Sequence, residues 1–213
     1  QVGNEKNAYE HVKGMTAVAL GDMETVQVSN GSSEMQMLAI DPQRFLHTVI
    51  WPGLDTSAQQ KMLIDHLKNP SQFPGLKDAC LAAPNDAIPA VIDTKSAQQL
   101  QVQPGQTFTA DSSIGQIAIF VVAEVNGMPV TNILIDYSTY TLIYQAQSAD
   151  FSAVQSASAP INSIWLKTDG RAQSWQHIQQ TLEMGPLHLS AFYDRQATVQ
   201  ALDHNPLNRN LVG

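Results

Sequence analysis

The stretch "IAIFVVAEV", Ile117–Val125, is the strongest apolar run of the chain. It has the length of a strand and is rich in β-branched residues, which favour a pleated and buried surface. The turn sequence "NGMP" follows it directly at Asn126–Pro129. Turn residues of this kind close strands, because glycine accepts positive φ and proline fixes its own φ. The run therefore predicts a long buried strand and a fold built around a sheet.

Short strand-like segments lie on both sides of this run. "AVIDT" predicts a short strand before it, "KSAQQL" a single helical turn, and "VQPGQTFTA" a turn at Pro104–Gly105 that leads into another strand. "NILID" predicts one more strand after it. Several short strands at close spacing are typical of a compact, barrel-like β lobe.

The first part of the chain carries a hairpin signal. Asn30–Gly31 lies between "METVQV" and "EMQMLAI", and "MTAVAL" before them predicts another short strand. Asn-Gly between alternating apolar segments is a strong signal for a two-residue hairpin turn. Asp41–Pro42 is expected to end the second hairpin strand.

A helix is predicted in "DTSAQQKMLIDHLKNP". Asp55 or Thr56 can cap its first turn, and Asn69–Pro70 stops it. The following stretch to Pro89 is rich in proline, which predicts a passage between lobes. The apolar side chains expected on one face of this helix are Met62, Leu63 and Leu67.

The last third of the chain mixes both kinds of element. Trp175, Ile178 and Leu182 recur at helical spacing after Asp169–Gly170, and Gly185–Pro186 ends that pattern. In order, the sequence predicts a helix over "DYSTYTLIYQ", a strand over "NSIWLKT", the helix with Trp175, a strand over "LHLSAFYD" and a helix from Arg195 to His204.

These patterns predict an α+β fold of two lobes. Residues 1–78 and 150–213 together form a discontinuous α+β lobe, and residues 79–149 form an inserted β-rich lobe. The order of elements supports this division, whereas the pairing of strands is not readable from the sequence.

Composition excludes several classes of function. The formal net charge of -8 argues against binding a phosphate backbone, which requires clustered cations. No stretch reaches the roughly 18 apolar residues that a membrane helix needs. The single cysteine, Cys80, cannot form an internal disulfide, and a buried or half-buried thiol is favoured over a nucleophile. The four arginines are scattered singly at Arg44, Arg171, Arg195 and Arg209.

The sequence supplies no candidate catalytic, cofactor-binding or metal-ligating residue. No serine elbow or phosphate-binding loop is present, and no histidine pair has metal-ligand spacing. Asp65–His66 and Asp203–His204 fall near predicted helix C-termini, where a cationic histidine favours the helix dipole. Carboxylates at Asp111, Glu124 and Asp136 could meet only in space. The six histidines are His11, His47, His66, His177, His188 and His204.

Aromatic residues are numerous enough to line a groove for a peptide or an apolar ligand. Packing within the core is the favoured interpretation, above all for Trp165 and Trp175. The aromatic residues concerned are Phe45, Trp51, Tyr137, Tyr140, Tyr144, Trp165, Trp175, Phe192 and Tyr193.

Taken in order, several segments resemble one family. "GMTAVAL", "MLAIDPQRFLHTVIW", "IPAVIDTKSAQQLQVQPGQTFTA", "IFVVAEVNGMP", "NILIDYSTY", "NSIWLKTDG" and "FYDRQATVQALDHNPLNRNLVG" are together similar to the extracytoplasmic domain of FtsX-like ABC transporter permeases, which belongs to the MacB-like periplasmic core superfamily. The likeness covers most of the chain. Gly105–Gln106 matches the family's entry into its small β lobe, and Asn205–Leu207 stands where Asp-Pro-Leu is frequent.

The resemblance implies a non-catalytic, two-lobed domain at the extracytoplasmic side of the cell membrane, with the discontinuous lobe next to the membrane. It implies a cytoplasmic ABC ATPase as a partner, connected through transmembrane parts, and a peptide, lipoprotein or protein partner outside. No cofactor and no nucleic acid are implied. Gln1 and Gly213 are then expected close together at the membrane-facing pole.

Two other functions stay open at this point. One is a freestanding extracytoplasmic protein that binds a peptide or lipid in an aromatic groove. The other is a hydrolase whose serine or cysteine meets a histidine only in the folded chain.

Overall fold

The apolar run lies in an eleven-residue strand within a seven-stranded mixed sheet. The computed structural model describes residues 15–28, 33–49, 51, 54, 56–128, 131–148 and 159–183, and the strand count refers to these ranges. Parallel and antiparallel pairs together with helices confirm the predicted α+β class. In chain order the strands are β1 (Met15–Val28), β2 (Ser33–Ile40), β3 (Ile88–Asp93), β4 (Thr107–Ser112), β5 (Gly115–Val125), β6 (Ile133–Asp136) and β7 (Ser163–Thr168).

Six of the strands close into a hydrogen-bonded ring. The sheet order is β2-β6-β3-β5-β4-β1-β7, and β2 also pairs with β1. Closure between β1 and β4 rests on two residue pairs, Gln27 with Asp111 and Val28 with Ala110. The ring therefore takes β1 and β2 from one predicted lobe and β3 to β6 from the other, and the division into lobes stays a prediction.

The predicted hairpin is confirmed by its register. β1 and β2 run antiparallel from Gly21 opposite Ile40 to Val28 opposite Ser33, and the turn that joins them lies outside the described residues. The sequence predicted two short strands before this turn. The structure has one continuous strand of fourteen residues instead.

The single strand β1 changes partners at Gly21. Residues before it pair with β7, residues after it pair with β2, and Gly21 itself lies opposite both Ser163 and Ile40. A Cβ atom at this position would lie 2.6 Å from the backbone oxygen of Ala39. Glycine is required here because two strands approach its backbone from both sides.

Apolar side chains alternate between the two faces of the sheet. Ile88, Ala90 and Ile92 of β3 join one core cluster, whereas Val91 joins the other. This period of two is the geometry of a strand buried on both faces. The helices on the first face are α4 (Thr94–Leu100) and α5 (Tyr137–Ser148), and those on the second are α1 (Pro42–Thr48), α2 (Ser57–Lys68) and α3 (Pro74–Ala82).

Local sequence accounts for where α2 begins and ends. The Thr56 hydroxyl and the Gln59 side chain form a reciprocal capping box, and Asn69 caps the other end. This confirms the prediction for Thr56 and Asn69, while Asp55 lies outside the described residues. Leu63 and Leu67 are buried as predicted. Met62 is 54% exposed, so its predicted place on the buried face was wrong.

Two helices, α1 and α3, were not predicted. Each begins with proline at its first turn, Pro42 in one and Pro74 in the other. Proline fits the first helical position, since its missing N–H would have no partner there. In the sequence, Pro42 indicated the end of a strand and Pro74 a connecting loop, because each proline was taken only as a residue that interrupts regular structure.

The described part of the chain ends in a strand followed by a helix, as the sequence predicted for "NSIWLKT" and the segment with Trp175. β7 is followed by α6 (Ala172–Glu183), in which Ile178 and Leu182 are buried. No helix in the described ranges is long and apolar enough to cross a membrane. The predicted strand over residues 187–194, the helix from Arg195 to His204, and both chain ends lie outside the described residues.

Candidate functional site

The first strand and the last described helix meet in a small apolar cluster, here called the α6 contact. Ile178 and Leu182 of α6 are 0% and 1% exposed, although this helix packs outside the two large cores. Their partners are Met15 and Val18 of β1 and Leu166 of β7. Two buried and three partly buried apolar side chains therefore hold the start of β1 and the helix that follows β7 side by side.

An aromatic pair attaches β7 to the main body. The rings of Phe45 in α1 and Trp165 in β7 have centroids 5.1 Å apart and are nearly perpendicular, at 88°. Edge-to-face contact is a favoured arrangement of aromatic rings. The Trp165 Nε1–H donates to Ser163 Oγ at 2.9 Å, so the indole nitrogen is satisfied within β7.

Asn162 continues the pairing of β1 beyond the end of β7. Its side-chain oxygen accepts from the Met23 N–H at 2.7 Å, and its side-chain amide donates to the Met23 oxygen at 2.9 Å. Its own backbone N–H donates to the Gly21 oxygen at 3.1 Å. β7 and β4 pair with successive parts of β1, and the Asn162 side chain bonds to the part of β1 that lies between them.

Replacement of Asn162 with alanine is expected to destabilise the protein by about 1–2 kcal/mol, because two solvent-accessible hydrogen bonds to the backbone of Met23 are lost. Urea denaturation followed by circular dichroism measures this loss. Asn85, an exposed asparagine in the turn between α3 and β3, offers a matched control: Asn85→Ala should change stability by less than about 0.5 kcal/mol. Equal effects of the two variants would contradict the role given to the Asn162 amide.

Two carboxyl groups lie next to this pairing. Asp22 and Glu24 share one face of β1 with Val26 and Val28, because strand side chains alternate. The Tyr140 hydroxyl donates to Glu24 Oε1 at 2.9 Å, and the Ser113 N–H donates to Glu24 Oε2 at 2.9 Å. We call Gly21–Glu24 with Asn162, Tyr140 and Ser113 the β1 junction.

Burial perturbs the ionisable groups of the β1 junction. Asp22 is 3% exposed, and burial, reinforced by the negative charge of Glu24, raises its pKa to about 6. Burial also raises the pKa of the Tyr140 hydroxyl, and Glu24 adds to the rise as charge and as hydrogen-bond partner. Tyr140 is therefore neutral at all physiological pH and acts as a hydrogen-bond donor.

The described histidines are not brought together. His66 stacks on Phe73 at a ring distance of 3.7 Å, and its Nδ1 lies 2.7 Å from the Met62 oxygen. His47 and His177 are exposed on α1 and α6. No group of three or more His, Cys, Asp or Glu suited to a metal occurs within the described ranges. The remaining three, His11, His188 and His204, lie outside those ranges.

The carboxylates that might have met in space have separate local roles. Asp136 caps α5 by accepting from the Thr139 N–H at 3.0 Å. Asp111 lies on β4 opposite Gln27, and Glu124 lies on β5 opposite Ile92 of β3. Cys80 is a free, half-buried thiol of α3 that packs against the second core.

The described aromatic residues pack mainly into the cores. Phe45 and Tyr140 are fully buried, and Trp51 is 4% exposed with its Nε1–H donating to the Asn126 oxygen. Tyr137 and Tyr144 pack against the first core. Phe192 and Tyr193 lie outside the described residues.

Sequence reasoning missed Asp22, Glu24 and Asn162. The signal for the first two was available in "GDMETVQV", where the acids fall on the same alternating face as Val26 and Val28. Acidic residues on an apolar face are unusual, because ionised groups are costly to bury. Nothing near Asn162 in the sequence indicates its pairing with Met23, which is 139 positions away.

No family model matches the chain, and no curated protein matches it. Similar solved structures include three whose source proteins are described. The periplasmic region of MacB from Actinobacillus actinomycetemcomitans has a TM-score of 0.42 and 15% identity, covering 94% of this chain and 82% of its own. The extracellular domain of the ABC-type transporter YknZ from Gram-positive bacteria has a TM-score of 0.41 and 9% identity, covering 84% and 81%. A domain of a permease protein from Porphyromonas gingivalis has a TM-score of 0.35 and 10% identity, covering 87% and 77%.

One of them is a part of MacB, one a part of an ABC-type transporter and one a part of a permease protein. With TM-scores of 0.35–0.42, the overlap is too loose to carry a residue role or an activity to this chain. The proposal below rests on the chain's own residues.

Proposed function

We propose that this chain is a non-catalytic extracytoplasmic domain of an ABC transporter permease, which transmits movement driven by a cytoplasmic ATPase to a substrate or partner outside the membrane. The α6 contact is the observation that carries the proposal. It joins Met15 and Val18 at the start of β1 to Ile178 and Leu182 of α6. A domain inserted between two membrane helices needs its incoming and outgoing paths at one pole.

The shape of β1 supports transmission of movement. Its fourteen residues form one unbroken strand, which at about 3.3 Å per residue spans roughly 40 Å. Its first half is bonded to β7 and its second half to the ring. A displacement at the α6 contact would therefore reach the ring along a hydrogen-bonded strand rather than through a loop.

The sequence resemblance supplies the partners of the proposal. They are a cytoplasmic ABC ATPase, reached through transmembrane parts, and a peptide, lipoprotein or protein outside the membrane. The location is the extracytoplasmic side of the cell membrane. No part of the proposal requires chemistry at the β1 junction, where the side chains bind one another.

Electron–electron distance measurements on the intact membrane assembly test the movement. In a Cys80→Ala background, spin labels are placed at the exposed positions Gln98 of α4 and His177 of α6 through cysteine substitutions. The distance between them is expected to change by several ångströms between the nucleotide-free and vanadate-trapped states, because α6 moves with the membrane-facing pole.

A matched pair on the ring is the control. Labels at Leu81 of α3 and Gln98 of α4 both follow the ring, so their distance should be the same in the two states. An unchanged distance from Gln98 to His177 would contradict the transmission of movement. A parent protein without membrane-spanning segments would contradict the transporter assignment itself and would favour a freestanding binding protein.

A further inference from the structure

Asp22 is the least satisfied charged group of the β1 junction. Only 3% of the residue's surface is exposed. Among the residues that the structure describes, none donates a hydrogen bond to it, whereas both oxygens of neighbouring Glu24 accept one. A buried carboxylate without donors and beside a second carboxylate is strongly disfavoured when ionised.

Such a group has two routes to a lower free energy. It can bind a proton and remain buried, or the surrounding structure can open and admit water. The position of Asp22 in β1 determines which part of the structure would open. Asp22 lies between Gly21, where β1 leaves β7, and Met23, whose backbone is held by Asn162. The Tyr140 hydroxyl binds the next carboxyl on the same face.

We propose that Asp22 controls the β1 junction as a protonation switch, here called the latch. While Asp22 is protonated, β7 and Asn162 stay hydrogen-bonded to β1, and loss of the proton weakens this pairing. The latch would adjust how firmly the α6 contact is connected to the ring. It goes beyond the proposed function, because it concerns control by pH rather than the identity of the domain.

The direction of the pH effect follows from the raised pKa. The ordinary value for aspartate is 3.8 and that of buried Asp22 is about 6. The closed junction therefore retains a proton that the open junction releases, so closure is favoured at low pH. This preference is lost as pH rises from about 4 to about 6 and changes little above that.

Other charged groups near the latch leave this direction unchanged. Glu24 on the same strand disfavours the ionised form of Asp22, and Tyr140 of α5 is neutral. The remaining elements against β1 also carry charged or titratable side chains, namely Glu34 of β2, Asp111 of β4, Lys167 of β7, His177 of α6, and Arg44 and His47 of α1. None of these contributes to the raised pKa of Asp22.

Amide hydrogen exchange by NMR tests the latch in the intact domain. The Met23 N–H, bonded to Asn162, and the Ser113 N–H, bonded to Glu24, are direct reporters. After correction for intrinsic exchange chemistry, their opening constants are expected to rise roughly fifty-fold between pH 4 and pH 7. The Val121 amide, bonded to the Gln106 oxygen in the ring, should not follow this change.

The variant Asp22→Asn removes the titration and should leave the Met23 and Ser113 profiles flat. Asp111→Asn removes an exposed carboxylate from β4 and should keep the fifty-fold rise. The ¹³C carboxyl shift of Asp22 provides a measurement that needs no variant, and its midpoint is expected near pH 6. A flat wild-type profile, a rise shared by Val121, or a midpoint near pH 4 would each overturn the proposal.

Discussion

Replacement of Gly21 with alanine is expected to destabilise the protein by about 2–4 kcal/mol, at the upper end of the range for overpacking. The added Cβ would lie 2.6 Å from the backbone oxygen of Ala39 and 3.3 Å from the side chain of Ile40. A backbone oxygen held in a ladder cannot move aside as a flexible side chain can. Urea denaturation with circular dichroism detection measures the difference in the free energy of unfolding.

Gly75 offers a matched control for this substitution. It lies in the first turn of α3, and a Cβ atom there meets nothing within 4 Å. Gly75→Ala should therefore stabilise the protein by about 0.5–1 kcal/mol, because alanine loses less backbone entropy on folding. If the two alanine variants were equally stable, the close approach at Gly21 would not be what fixes the path of β1.

The importance of Gly21 also marks the limit of prediction from the sequence. The β-branched apolar run in "GQIAIFVVAEV" and the Asn30–Gly31 signal were sufficient to predict β5 and the β1–β2 hairpin, because both depend on neighbours in the chain. Closure of the ring depends on two residue pairs between β1 and β4, which are more than eighty positions apart. Pairing at that separation leaves no local pattern.

The β1 junction could not be predicted from the sequence for a related reason. The alternating pattern placed Asp22 and Glu24 on an apolar face, yet exposure and burial of a strand face cannot be told apart without its neighbours. Tyr140 reaches Glu24 across 116 positions, and Asn162 reaches Met23 across 139. The absence of catalytic and metal-binding patterns, in contrast, was a statement about the sequence alone and stays a prediction for the whole chain.

The second large effect is expected at Phe45. This side chain of α1 is fully buried and contacts Trp165 edge to face. Phe45→Ala should destabilise the protein by about 3–5 kcal/mol, because it removes a large apolar group and leaves a cavity between α1 and β7. Denaturation in urea measures the loss, and Leu142→Ala, at a side chain 67% exposed, should cost less than about 0.5 kcal/mol.

A graded variant separates the general cost of a cavity from the attachment of β7. Phe45→Leu keeps most of the apolar volume but removes the ring that faces Trp165, so its loss of stability should be about 1–1.5 kcal/mol. Exchange of the β7 amides should nevertheless accelerate in Phe45→Leu more than exchange of the β5 amides, because Phe45 is the ring that packs on Trp165. If β5 and β7 accelerated equally, β7 would belong to the same cooperative unit as the ring, and a strand that moves with α6 relative to the ring would be untenable.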